Sequence, residues 1–154
     1  MIIESVFQQI EVAINTLLKI MDQLTEEDLN KRPTPNKHSI GELLEHIAVL
    51  FEADWRISNG ASGEDMKRFY SGVSYPTLNS VKEGLNANYH ALKNNYSKLS
   101  EDQLMSETTS YWGVTYTRYE WLLEILAHIY HHRGQLHAML VHCLDQDPDI
   151  LMFE

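Results

Sequence analysis

The sequence predicts an all-α fold, a four-helix bundle with a long connection between its second and third helices. Two observations carry that prediction. Four stretches of about 20 residues repeat apolar side chains at the 3.6-residue period of an amphipathic helix. No stretch is rich in strand formers, and four Pro and seven Gly in 154 residues are too few for a loop-rich β fold.

The first helix carries Ile3, Val6, Phe7, Ile10, Ile14, Leu17, Met21 and Leu24 on one face. It stops before Thr25-Glu26-Glu27-Asp28, which has the form of a cap opening one short turn. Arg32-Pro33-Thr34-Pro35-Asn36-Lys37 must be an ordered loop, because its two prolines exclude helix. Ser39-Ile40-Gly41-Glu42 is a capping box, in which the Ser and Glu side chains satisfy each other's orphan backbone N–H groups. It opens a second helix with Ile40, Leu43, Leu44, Ile47, Leu50 and Phe51 facing inward and Trp55 near its end. The polar segment from Ser58 to about Pro76 is read as a connection, long enough to cross the bundle. The third helix, from about Asn79 to Leu99, presents Val81, Leu85, Tyr89, Leu92, Tyr96 and Leu99. Ser100-Glu101-Asp102-Gln103 begins another capped turn, and Glu107 to Tyr116 is a polar-aromatic connection or short extended piece. Thr117-Arg118-Tyr119-Glu120 caps the fourth helix, which runs to about Cys143 through Leu122, Ile125, Leu126, Ile129, Leu136 and Leu140. The tail, Leu144 to Glu154, is expected to be irregular.

Composition bounds the function. The hydrophobic fraction is 44% and the charged fraction 22%, ordinary for a globular chain, and the whole of 1–154 reads as a single domain. Twenty-two acids against 12 bases give a net charge of −10. That charge opposes binding to a phosphate backbone or to anionic lipid, so neither nucleic acid nor membrane is expected as a partner. One cysteine, Cys143, excludes an internal disulfide and suits a reducing compartment. It is expected only to pack. The opening Met1-Ile2-Ile3-Glu4 carries an acid where a signal peptide carries bases, so a cytoplasmic location is expected.

Eight histidines are many for this length, and five of them lie between 128 and 142. His128 and His132 are four apart and share a helix face one turn apart, where two imidazoles can reach one ion. His46 falls between Leu43 and Leu50 on the apolar face of the second helix and should also point inward. Together they would form a three-nitrogen centre with an open position, the arrangement of catalytic zinc. His131 competes with His132, since it too shares a face with His128. His38, His90, His137 and His142 are assigned to loop or surface. Glu124 and Glu42, each one turn before a candidate ligand, are candidates to accept a ligand N–H. Gln135 is placed as a polar wall of the pocket, and Arg133 is expected to pair with a carboxylate. Gly134, unusual in mid-helix, suggests close approach by a neighbouring helix. Tyr111, Trp112, Tyr116, Trp55 and Tyr130 are read as closing the core.

These residues resemble the DinB-like superfamily of helical-bundle metalloenzymes. The likeness runs through Leu24-Thr25-Glu26-Glu27-Asp28-Leu29 to Arg32-Pro33, then His38-Ser39-Ile40-Gly41-Glu42-Leu43-Leu44-Glu45-His46-Ile47. It continues in Thr117-Arg118-Tyr119-Glu120, in His128-Ile129-Tyr130-His131-His132-Arg133-Gly134-Gln135-Leu136 and in Asp147-Pro148-Asp149, covering nearly the whole chain. The resemblance implies that His46, His128 and His132 bind a divalent metal, that the bundle order is up-down-down-up, and that the protein is a homodimer. Characterised relatives include metal-dependent transferases that use a low-molecular-weight thiol. The resemblance therefore implies a divalent-metal-dependent enzyme, a small-thiol-dependent S-transferase or a hydrolase, with zinc or nickel as the ion. No catalytic residue beyond the ligands is identified. The alternative is a non-catalytic, stress-related metal-binding helical dimer or sensor.

Overall fold

The computed structural model describes residues 2–153; Met1 and the final residue of the tail, Glu154, lie outside them. Four long helices form where the apolar periodicity places them: α1 (Ile2–Met21), α2 (Ile40–Ser58), α4 (Leu78–Ser97) and α6 (Arg118–Ala138). Their predicted inner faces are the core. Phe7, Ile10, Leu17, Leu43, Leu44, Ile47, Phe51, Leu85, Tyr96, Leu122, Ile129 and Leu136 are all buried. Helix α2 packs on α4 and α6, and α1 packs on the same two helices. The protein is thus mostly helical, with α1 and α2 bridged through α4 and α6.

Helix starts follow the capping signatures. Ser39 accepts from the Glu42 N–H and the Glu42 carboxylate accepts from the Ser39 N–H, at 3.1 and 2.8 Å. The same reciprocal box stands at Thr117 and Glu120 for α6. Thr25 and Asp28 cap a 3₁₀ turn, Glu26–Asn30, that leads into the proline loop. Arg32 in that loop forks onto Glu42 with two bonds of 2.8 Å, tying the loop to the first turn of α2. Gly41 lets this turn sit close, since a Cβ there would lie 2.9 Å from the Leu29 carbonyl oxygen.

One part of the chain differs from expectation, and another takes the extended form of its two expected alternatives. The segment between Ser58 and Pro76 is not merely a connection: it holds a helix, α3 (Gly63–Ser71), capped by Ser62 and Asp65. This helix packs on α2 mainly through Met66 and Phe69, against Ala53 and Ile57. After the four-residue α5 (Glu101–Leu104), the polar-aromatic stretch forms an antiparallel hairpin, β1 (Glu107–Thr109) with β2 (Thr115–Thr117). Its turn contains Gly113 at φ 92, a left-handed conformation that glycine adopts without strain. Past Ala138, α6 widens into a π turn, Met139–Cys143, and residues 144–153 are irregular as expected. Among the described residues, no helix is long and apolar enough to cross a membrane.

Candidate metal centre

The site lies on the seam between α2 and α6. Helix α6 carries two stripes. Leu122, Ile125, Ile129, Arg133 and Leu136 form the buried one, which Leu140 continues in the π turn that follows. His128, His132 and Gln135 lie beside it and face α2, which contributes His46 and Asp54.

The three histidines come together. His46 Nε2 is 3.0 Å from His132 Nε2, and His132 Nε2 is 3.0 Å from His128 Nε2. All three ligand atoms lie within 4.8 Å of one another, at half-buried positions. His131, the competitor, is exposed and outside the cluster.

The second ring nitrogens explain why the Nε2 atoms converge. His128 Nδ1 is 2.7 Å from Asp54 Oδ2, and His132 Nδ1 is 2.9 Å from Gln135 Oε1. A carboxylate or amide oxygen only accepts, so both Nδ1 atoms must carry the proton and donate. In the neutral rings this leaves the Nε2 lone pairs pointing at each other across 3.0 Å. Such a contact is repulsive unless a proton or a cation sits between them. A tetrahedral ion bonded to nitrogens at about 2.0–2.1 Å would hold them about 3.3–3.4 Å apart. The donor set therefore fits a divalent ion, with the two 3.0 Å pairs opening slightly and all three nitrogens already within 4.8 Å of one another.

Electrostatics support the same arrangement. Burial pushes His46 down to about 4, helped by the charges of His132, His128 and His38, so its imidazole is neutral at ordinary pH. Burial, with His128 and His131 nearby, also lowers His132 against the opposing bond to Gln135. Burial pulls His128 down too, but the Asp54 hydrogen bond and the charges of Asp54 and Glu124 outweigh it and leave a net rise.

Several sequence expectations need correction. Asp54, which sequence reasoning passed over, takes the orienting role that had been offered to Glu124 and Glu42. Glu42 is occupied by Arg32 and Ser39, which hold its carboxyl down at about 2. Glu124 acts on His128 only through its charge; its own carboxyl is raised by burial and by Asp54. Gln135 is a partner of His132 rather than a bare wall. Arg133 pairs with no carboxylate among the described residues. It is buried, donates to Thr16 Oγ1 at 2.9 Å and to the Met152 carbonyl, and its guanidinium lies over the rings of Tyr130 and Phe153. Gly134 meets no neighbouring helix, for nothing lies within 4 Å of where its Cβ would be. Cys143 is exposed rather than packed. Trp55 closes the core against Tyr96, with ring centroids 5.3 Å apart, whereas Tyr111, Trp112 and Tyr116 stand exposed on the hairpin.

A cleft of about 420 Å³ opens beside His46. Val49, Val73 and Tyr70 line it together with His38, Glu42 and Glu45. Tyr70 comes from α3, the helix absent from the sequence prediction. Its phenol is raised by burial and by the charge of Asp54, with Tyr111 contributing. Tyr111 reaches this region because the hairpin loop rests on the start of α3, where a Cβ on Gly63 would lie 3.3 Å from the Tyr111 ring.

The comparisons agree with this picture. The family model of the DinB superfamily matches residues 9–136, a span that includes every residue of the three-His cluster. The chain belongs to the DinB superfamily. A solved structure from Exiguobacterium sibiricum 255-15, described as of the DinB family, is 31% identical. It covers 97% of this chain and 96% of its own, with a TM-score of 0.84. DinB-like proteins from Bacillus cereus ATCC 10987 and Bacillus subtilis share the fold at 20% identity. Their TM-scores are 0.67 and 0.68, and they cover 90% and 92% of this chain and 91% and 90% of their own. No curated protein matches the chain.

Proposed function

We propose that this DinB-superfamily protein is a divalent-metal-dependent enzyme whose ion is held by His46, His128 and His132. The convergence of three Nε2 atoms, with the Nδ1–H groups of His128 and His132 held by Asp54 and Gln135, carries the reading. Zinc or nickel suits the all-nitrogen donor set, and cellular availability decides between them. When bound, the ion would supply Lewis-acid activation of a small thiol or of water. The chain's own part is to bring the three imidazoles together, fix the tautomers of His128 and His132 through Asp54 and Gln135, and place His46 on the wall of the α2/α3 cleft. Asp54 also gives the ligand His128 greater basicity. The reaction class that fits is S-transfer from a low-molecular-weight thiol to an electrophile, or hydrolysis. An up-down-down-up helix order and a homodimer belong to the same reading.

Metal content tests it. Protein purified without an affinity tag is expected to carry about one equivalent of zinc or nickel, and His46→Ala and His132→Ala to lose at least about tenfold in affinity. Unchanged content in both variants would refute the site. Turnover of a small thiol with an electrophile should stop on chelation and return on adding zinc. Turnover surviving metal removal would refute the enzymatic role.

A further inference from the structure

The charges around the seam are unevenly compensated. Each arginine close to the cleft is already engaged: Arg32 with Glu42 at 2.8 Å, Arg56 with Glu52 at 2.7 Å, and Arg68 with Asp65 at 2.7 Å. By contrast, Glu45, Asp54 and Glu124 have no lysine or arginine partner among the described residues. Asp54 is bonded to His128 Nδ1 at 2.7 Å. Glu45, next to the ligand His46, lines the cleft and accepts the Tyr75 N–H through Oε2 at 3.2 Å. Glu124 sits near enough for its charge to act on both Asp54 and His128. Asp54 and Glu124 thus stand by His128, and Glu45 lines the cleft beside His46, so the carboxylates near the three histidines outnumber the two positive charges of a bound ion. The described residues that line the cleft include the carboxylates of Glu42 and Glu45 and no lysine or arginine, and the basic His38 among them lies 3.7 Å from Glu42.

We propose that the cleft between α2 and α3 is the substrate subsite of the metal centre and selects a small ligand with a cationic amine beside its metal-seeking atom, Glu45 receiving the amine. The inference rests on the metal-centre reading and adds the charge of the substrate to it. The ligand's thiol or hydroxyl reaches the ion past His46. Its ammonium group lies toward the carboxylate of Glu45, and its short carbon chain runs between Val49 and Val73. A polyanionic thiol would bring its carboxylates to a rim that already holds those of Glu42 and Glu45 and, among the described residues, no lysine or arginine, at a Coulomb cost that grows as water is excluded. The volume of about 420 Å³ suits a compact ligand rather than an extended peptide.

The test uses the full chain loaded with cobalt(II), whose thiolate charge-transfer absorption reports direct coordination. Two probes of nearly equal length are titrated, 2-aminoethanethiol and 3-mercaptopropionate. The aminothiol is expected to bind about tenfold more tightly, a difference of about 1.4 kcal/mol. Because the two thiols differ in intrinsic acidity, the deciding quantity is the change in their affinity ratio in Glu45→Gln. That variant keeps an oxygen for the Tyr75 N–H and removes the charge, so the ratio should shrink at least about threefold. A ratio unchanged by the substitution, with cobalt bound in both proteins, overturns the charge selection and leaves the metal centre standing. Failure of cobalt to bind at all overturns both.

Discussion

At the scale of single residues, the pairing of Asp54 with His128 is the contact that turns a group of histidines into an oriented donor set. Its removal has a definite expected result. Asp54→Asn keeps an acceptor oxygen but loses the charge, and zinc affinity measured by chelator competition should fall about 10–100-fold. Glu124→Gln, which touches no ligand ring, should change it less than about threefold. The candidate ligands were legible in the sequence because their geometry is local: His128 and His132 share a face by spacing alone, and His46 sits within an apolar stripe. Asp54 was not, because its partner is 74 positions away. The available signal was an acid between Ala53 and Trp55, two turns after His46, in a helix otherwise apolar there. Arg133 left a similar clue, since it occupies a position on the buried stripe between Ile129 and Leu136.

Another carboxylate shows how a single cap sets acid sensitivity. Asp28 is buried, bonded to Lys31 at 2.6 Å and to the Thr25 N–H at 2.8 Å. The Lys31 bond first, then the Thr25 backbone, hold its carboxyl at about 2 against an ordinary 3.8. The folded value is the lower one, so the stabilisation is complete above the unfolded pKa and is lost as pH falls from about 4 to 2. Asp28→Asn should therefore cost about 2 kcal/mol in urea unfolding at pH 7. The gap from the parent protein should close near pH 2.

At the scale of elements, capping boxes were the most readable feature and also the one most easily missed. Those at Ser39 and Thr117 announced helices because an apolar periodic run follows each. Ser62-Gly63-Glu64-Asp65 carries the same pattern, but the helix it opens is short and polar, so its periodicity is weak. Its stability comes from Met66 and Phe69 packing on α2, a tertiary effect that local sequence does not display. The hairpin was equally faint: two three-residue strands are too short for alternation to register.

Two helical glycines separate packing from propensity. A Cβ on Gly84 would lie 2.2 Å from Tyr75, whose hydroxyl accepts from Asn88, itself bonded to the Ala48 carbonyl of α2. Gly84→Ala should destabilise the protein by about 1–3 kcal/mol through that clash. Gly134 faces open space, so Gly134→Ala should stabilise it by about 0.5–1 kcal/mol through helix propensity. Thermal unfolding of the two variants checks the opposite signs.

Over the whole molecule, α6 is the member that joins stability to chemistry. Its buried stripe and Arg133 hold α1 and the C-terminal tail, Arg133 reaching both Thr16 and the Met152 carbonyl. Its adjoining stripe delivers two imidazoles to α2. The cluster therefore links parts of the chain 86 residues apart, His46 and His132, on a pair of helices packed against each other by the core. An ion bound only by the native arrangement would stabilise the fold by mass action, on a site carried by two helices packed against each other.

Anomalous diffraction at the zinc absorption edge, from crystals of untagged zinc-loaded protein, tests the central claim most directly. A single strong peak is expected on the α2/α6 seam, about 2.0–2.1 Å from the Nε2 atoms of His46, His128 and His132. A peak elsewhere, or none between these three rings at full zinc loading, would contradict the account.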